Sequence, residues 1–217
     1  WSGRVDGVLL DLGVSSPQLD SPERGFSFLR EGPLDMRMNP EQGCDAMTWV
    51  NTADANSIAD VLFQYGQERL SRRIAKAIVA AREIARITTT TQLAKIIEKA
   101  NPSAKKNKHP ATRSFQAIRI FINQELTALT AVLPQILRVL SIGGRMCVIS
   151  FHSLEDRIVK QFIQREEKGP EYPPHFPAPE YHARLRSLGK SIDPSREEIE
   201  KNIRARSARL RIAEKLS

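Results

Sequence analysis

The sequence predicts an α/β fold in which a small parallel sheet is interrupted by an all-helical insertion. Three observations carry that prediction. Two short apolar runs, Val5 to Leu12 and Arg145 to Phe151, each end in a polar loop, as buried strands of a parallel sheet do. Helical patterns flank the second run on both sides. Between the two runs, from about Gly43 to Asn101, the apolar residues recur with helical period and never alternate.

Taken in order, Val5 to Leu12 reads as a buried strand of a parallel sheet, ending in the turn residues Gly13-Val14-Ser15-Ser16-Pro17. In the insertion, Ile58, Val61, Leu62 and Tyr65 make one stripe. Leu70, Ile74, Ala77, Ile78 and Ala81 make a second, on a helix expected from Gln67 to Ile87, and Leu93, Ile96 and Ile97 a third. Thr88 to Thr91 forms the cap of that third helix and Asn101-Pro102 its stop. One continuous helix is expected from Ser114 to Leu140, with Phe115, Ile118, Ile122, Leu126, Leu129, Leu133 and Leu137 on its apolar face and Gly143-Gly144 as its C-cap. Arg145 to Phe151 is the second strand, and Ser153 opens another helix with Leu154, Ile158 and Phe162 inward. The Pro-rich stretch from Gly169 to Pro179 reads as irregular, and the alternation of Ser207 to Ala213 as a half-exposed closing strand.

Composition narrows the function classes. The 217 residues carry 33 Lys and Arg against 25 Asp and Glu, a net charge of +8, which favours a polyanionic partner or equally a well-solvated surface. Two distant cysteines, Cys44 and Cys147, offer neither a disulfide framework nor a zinc site, which fits a reducing cytoplasm. No apolar run is long enough to span a bilayer. There is no phosphate-cradling P-loop, no Gly-x-Gly-x-x-Gly, no metal motif and no Gly-x-Ser-x-Gly elbow. A strand beginning four residues after Trp1 leads us to expect a chain truncated at its N-terminus.

In open parallel sheets, ligands bind beyond the carboxyl ends of the strands. Two loops hold that position, Asp11 to Gln18 (DLGVSSPQ) and Ser150 to Arg157 (SFHSLEDR). Asp11 ends a run expected to be buried, where an ionised carboxylate needs partners; a turn or cap carboxylate is the simpler alternative. Ser15, Ser16 and Pro17 are equally a turn that starts a helix. His152 admits a general-base role, yet Ser153 with Asp156 resembles a capping box, and capping alone explains half of that loop. Lys105, Lys106 and Lys108 with His109 and Arg113 form a candidate phosphate-contacting loop, joined by Arg69, Arg72, Arg73, Lys76, Arg82 and Arg86 on the preceding helix.

At these two loops the chain resembles the RsmH (MraW) family of ribosomal RNA methyltransferases. The matching strings are DGVLLDLGVSSPQLD (Asp6 to Asp20), ERGFSF (Glu23 to Phe28), GPLDMRM (Gly32 to Met38), HPATRSFQAIRIFIN (His109 to Asn123), SFHSLEDRIVK (Ser150 to Lys160) and NIRARSARLRIAE (Asn202 to Glu214). The resemblance implies a Rossmann-like class I methyltransferase domain formed by residues 1–20 and 120–217, lacking its N-terminal strands, with a helical domain inserted over residues 21–119. It implies methyl transfer from S-adenosyl-L-methionine to the exocyclic N4 of a cytidine in small-subunit ribosomal RNA, without a metal. Asp11 and Gln18 would contact the cofactor, and Asp11, Ser15, Ser16, Pro17 and His152 would surround the reacting amine. Lys105, Lys106, Lys108, His109, Arg113 and Arg157 would contact RNA, with Glu155 a weaker candidate. The family's Gly-rich first loop is absent from this stretch, so an isolated fragment is expected to be inactive. A non-catalytic RNA-binding or ribosome-assembly protein is the rival reading.

Overall fold

The computed structural model describes residues 3–102, 109–170 and 180–217. In chain order the elements are β1 (Val5–Asp11), α1 (Ser16–Asp20), α2 (Ala46–Thr52), α3 (Ala55–Gly66), α4 (Ser71–Ile84), α5 (Thr90–Ala100), α6 (Thr112–Ile122), α7 (Glu125–Val139), β2 (Leu140–Ser150), α8 (Ser153–Lys168), β3 (Leu185–Ser187), α9 (Arg196–Lys201) and β4 (Arg209–Lys215). They form two compact units, one of Trp1–Gly13 with Leu126–Ser217, the other of Val14–Glu125. These boundaries lie at 13 and 125, where the sequence suggested 20 and 119. Val14 and Leu19 pack on the helical core, which carries α1 into the second unit.

The first unit is a four-stranded sheet in the order β1-β2-β4-β3. β1 and β2 run parallel, with Leu9 opposite Cys147 and Asp11 opposite Ile149, while β4 is antiparallel to both β2 and β3. Val8 and Leu10 join a cluster made by Met146 and Val148 of β2, Leu129, Leu133, Ile136 and Leu137 of α7, and Val159, Phe162 and Ile163 of α8. The alternate face of β1 is open, and Leu9 is 65% exposed. Among the described strands β1 pairs on one side only, with β2, and it packs on the core through Val8 and Leu10.

Two further corrections concern the segment before β2. The expected single helix is broken into α6 and α7 at Asn123 and Gln124, where Gln124 adopts φ 51°. Asn123 fixes the break by accepting the Met38 N–H (2.7 Å) and donating to the Met36 and Arg119 carbonyls (2.8 and 2.9 Å). Gly143-Gly144 is not a helix C-cap, because α7 already ends at Val139. The pair lies inside β2, where pairing slips from Val5–Leu140 to Gly7–Arg145. Gly143 has φ 79°, and a Cβ on Gly144 would stand 2.8 Å from the Ser141 carbonyl oxygen and 3.0 Å from that of Val5.

The second unit packs α2 to α6 around Ile58, Leu62, Ile74, Ile78, Leu93, Ile97 and Ile118, all fully buried. The three helical stripes read from sequence are α3, α4 and α5, although α4 spans Ser71–Ile84 and not the longer Gln67 to Ile87. Thr89 caps α5 in a reciprocal pair with Gln92. The strings ERGFSF, GPLDMRM and HPATRSF meet here: the Phe28 ring lies 4.6 Å from His109 and 4.7 Å from Phe115, and Arg24 donates to the carbonyls of Arg37 and Met38. Among the described residues no single helix is long and apolar enough to cross a membrane.

Candidate active site

The parallel pairing of β1 with β2 brings their carboxyl ends side by side. Asp11 faces Ile149, and the Leu12 N–H extends the ladder by one bond to the Ile149 carbonyl (3.0 Å). Both chains leave the sheet at this level, one into Leu12-Gly13 and the other into Phe151-His152. This is the place where an open α/β sheet presents polar groups to a ligand.

Asp11 is exposed. The sequence leads to an expectation of burial here; among the described strands β1 is paired on one side only, and the group is exposed. An exposed carboxylate at a strand's carboxyl end is a ready acceptor for a ligand's ammonium or hydroxyl groups.

The β2 loop is held rigidly by the start of α8. His152, not Ser153, is the N-cap: its Nδ1 accepts the Glu155 N–H at 3.4 Å, while the Glu155 carboxylate accepts the N–H groups of Phe151 (2.8 Å) and His152 (3.3 Å). The expected Ser153–Asp156 box is thus displaced by one residue. Accepting through Nδ1 places the proton of a neutral ring on Nε2. That nitrogen is buried, lies 3.2 Å from Glu155 Oε1 out of hydrogen-bonding alignment, and makes no hydrogen bond among the described residues.

Asp156, freed from capping, reaches instead to β4. It accepts Arg211 through two bonds, Nε at 2.7 Å and Nη2 at 3.0 Å, and Arg209 Nη1 at 3.3 Å. Burial pushes the Asp156 carboxyl up, but bonding and charge from Arg211 and then Arg209 outweigh it and hold the group below its ordinary value. This bridge fixes the first turn of α8, and with it the loop, to the strand beside β2. Its only trace in sequence is the spacing of Arg209 and Arg211 on one face of an alternating strand.

In the helical unit, Ser15, Ser16 and Pro17 are exposed and Gln18 half-buried. Ser15 is the N-cap of α1, and Gln18 Oε1 accepts the Ser15 N–H at 2.9 Å in a reciprocal capping box. The turn that starts a helix is thus present, with the Gln18 side-chain oxygen engaged in the cap. His109 is exposed with Nδ1 accepting the Ala111 N–H (3.2 Å), and Arg113 donates to the Gln67 carbonyl (3.4 Å). Arg157 is exposed on the first turns of α8. Lys105, Lys106 and Lys108 lie outside the described residues, as do residues 171–179 of the Pro-rich stretch.

Comparison with known proteins supplies the context for this geometry. A family described as the MraW methylase family matches residues 2–216. The chain is 58% identical to "Ribosomal RNA small subunit methyltransferase H" of Coxiella burnetii, a match that covers all of this chain and 71% of the relative. Proteins of the same name are 55% identical in Marinomonas sp. (99% of this chain, 69% of the relative) and 57% identical in Legionella pneumophila (99% and 70%). The chain belongs to the MraW methylase family.

Proposed function

We infer that this chain methylates ribosomal RNA of the small subunit, transferring a methyl group from S-adenosyl-L-methionine to the N4 amine of a cytidine in the cytoplasm. Family membership over nearly the whole chain carries the reading. It makes the β1-β2-β4-β3 sheet a portion of a Rossmann-like class I methyltransferase sheet. No observation favours a non-catalytic RNA-binding role.

The residues present suit such a cofactor. Asp11, exposed at the carboxyl end of β1, fits its ammonium or ribose hydroxyls; Gln18 fits as a second contact. Bound there, the sulfonium would supply an electrophilic methyl. The remaining task is the nucleophile's. The cytosine amine has its lone pair delocalised into the ring, so hydrogen-bond acceptors must hold its protons while the nitrogen pyramidalises. Asp11 and the exposed Ser15, Ser16 and Pro17, the last through its carbonyl, are the proposed acceptors. Positioning supplies much of the rate, and the base must be unpaired or flipped to be reached. His152 was expected among the catalytic groups; with Nδ1 committed to the cap, we assign it and Glu155 to holding the β2 loop. His109, Arg113, Arg157 and the lysines at 105, 106 and 108 are proposed RNA contacts.

The test is incubation of the full gene product carrying this chain with labelled S-adenosyl-L-methionine and unmodified small ribosomal subunits, followed by nucleoside analysis. N4-methylcytidine is the expected product. Label on a ring carbon, or on DNA in preference to the subunit, would overturn the assignment.

A further inference from the structure

A second basic site lies in the sheet unit, away from the loops just described. A cleft of about 480 Å³ is lined by Arg138, Phe162, Arg165, Glu166, Arg184 and Lys215, among others. The Lys215 ammonium donates to the carbonyl of Leu140 (2.8 Å), the first residue of β2. Leu140 pairs with Val5, and the six residues from there to Asp11 place the cleft roughly 20 Å along the sheet from the candidate active site.

Its charge is unbalanced. Glu166, with a side chain only 3% exposed, is bonded by Arg165 and by Arg184, so two guanidiniums share one carboxylate. Their own side chains are 60% and 54% exposed. Lys215 has a neutral carbonyl for its partner. Arg165, Arg184 and Lys215 thus gather at one buried carboxylate side chain. Helix electrostatics account for Arg138 and Arg165, which sit in the last turns of α7 and α8. They do not account for Lys215, which ends β4, and the one Glu166 carboxylate does not balance Arg165 and Arg184 together.

The form of the site discriminates among anions. Both helices present their carbonyl ends, no helix N-terminus among the described residues lines the cleft, and the donors are long side chains from separate segments. Such a surface is poorly made for enclosing one compact phosphate, which backbone N–H groups do better. It suits a strand whose charges are spread out and can be met one by one by the half-exposed Arg165 and Arg184 side chains. Resting on the reading of the chain as a ribosomal RNA methyltransferase, we propose that this cleft seats the phosphate backbone of the RNA substrate, as a docking site remote from the methyl-transfer loops.

The experiment measures affinity of the full gene product for small-subunit ribosomal RNA against salt concentration. Arg165→Gln with Lys215→Gln removes two phosphate contacts, and the log–log salt slope falls by about 0.7 for each. Lys201→Gln, an exposed control on α9, leaves the slope unchanged. Hydrogen exchange of the unaltered protein needs no variant: bound RNA slows the Arg184 and Leu216 amides, which bond the Glu166 and Arg184 carbonyls. Normal binding with an unaltered slope and unprotected amides overturns the docking site and leaves the methyltransferase reading intact. Failure of the unaltered protein to bind the RNA overturns both. A rise in melting temperature with inorganic pyrophosphate, lost in the variant while the RNA slope stays constant, identifies a small-anion site and refutes the RNA proposal.

Discussion

Replacing Asp156 with Asn removes the charge that ties α8 to β4 while keeping the side chain's shape. Asp156 and Arg211 are 13% and 17% exposed, so their bidentate contact lies between the surface and buried regimes. Exposed pairs contribute about 0–1 kcal/mol, and breaking a buried one costs about 3–5 kcal/mol. A loss of about 2 kcal/mol is expected, with about 0.5 kcal/mol more from the helix N-terminus that Asp156 serves. In a chain of this length that lowers the melting temperature by roughly 5–10 °C. The pH dependence follows from the folded carboxyl lying below its ordinary 3.8. The bridge contributes fully above that value and is lost as the pH falls through the lower folded value. Thermal unfolding of Asp156→Asn, Arg211→Gln and the double variant at neutral pH and under acid measures the coupling. A coupling below about 0.5 kcal/mol at neutral pH would refute the claim that this bridge anchors the loop.

Gly144→Ala forces a Cβ to within 2.8 Å of the Ser141 carbonyl oxygen and is expected to destabilise the sheet unit by about 1–3 kcal/mol in chemical denaturation. Glu155→Ala strips the acceptor from the Phe151 and His152 N–H groups and costs about 1–2 kcal/mol, whereas Glu155→Gln retains an acceptor and loses less. Equal losses from the two substitutions, read from denaturant midpoints, would show that capping is not what Glu155 supplies. Leu133→Ala, in the core between α7 and the sheet, is expected to cost about 2–5 kcal/mol by the same measurement.

What the sequence discloses follows from how local each determinant is. β1 and the stripes of α3, α4 and α5 are legible because their patterns need only neighbouring residues. The break at Asn123 is not, because the apolar period runs unbroken through it and the cause lies in the Met36 and Met38 backbone, far away in sequence. Gly143-Gly144 reads as a helix stop when its real constraint is the Val5 carbonyl across a slipped ladder. β3, three residues long, carries no periodicity. The helix cap at His152 is missed because histidine lies outside the usual capping residues. At the candidate site, the two loops are visible as polar ends of apolar runs, and the order of the sheet makes Asp11 a neighbour of Ile149. Asp11's exposure among the described residues is not visible, since an apolar run does not report which side of the strand is paired. The basic cleft is the least legible feature: its cations come from positions 138, 165, 184 and 215, which only the fold assembles.

Calorimetric titration of S-adenosyl-L-methionine into the full gene product and its Asp11→Ala variant tests most directly whether the end of β1 holds the cofactor. Loss of one charge-assisted hydrogen bond, about 1.5–3 kcal/mol, predicts an affinity reduced about 10- to 100-fold in a variant with an unchanged melting temperature. Equal affinities of the two proteins would contradict the placement of the cofactor at Asp11.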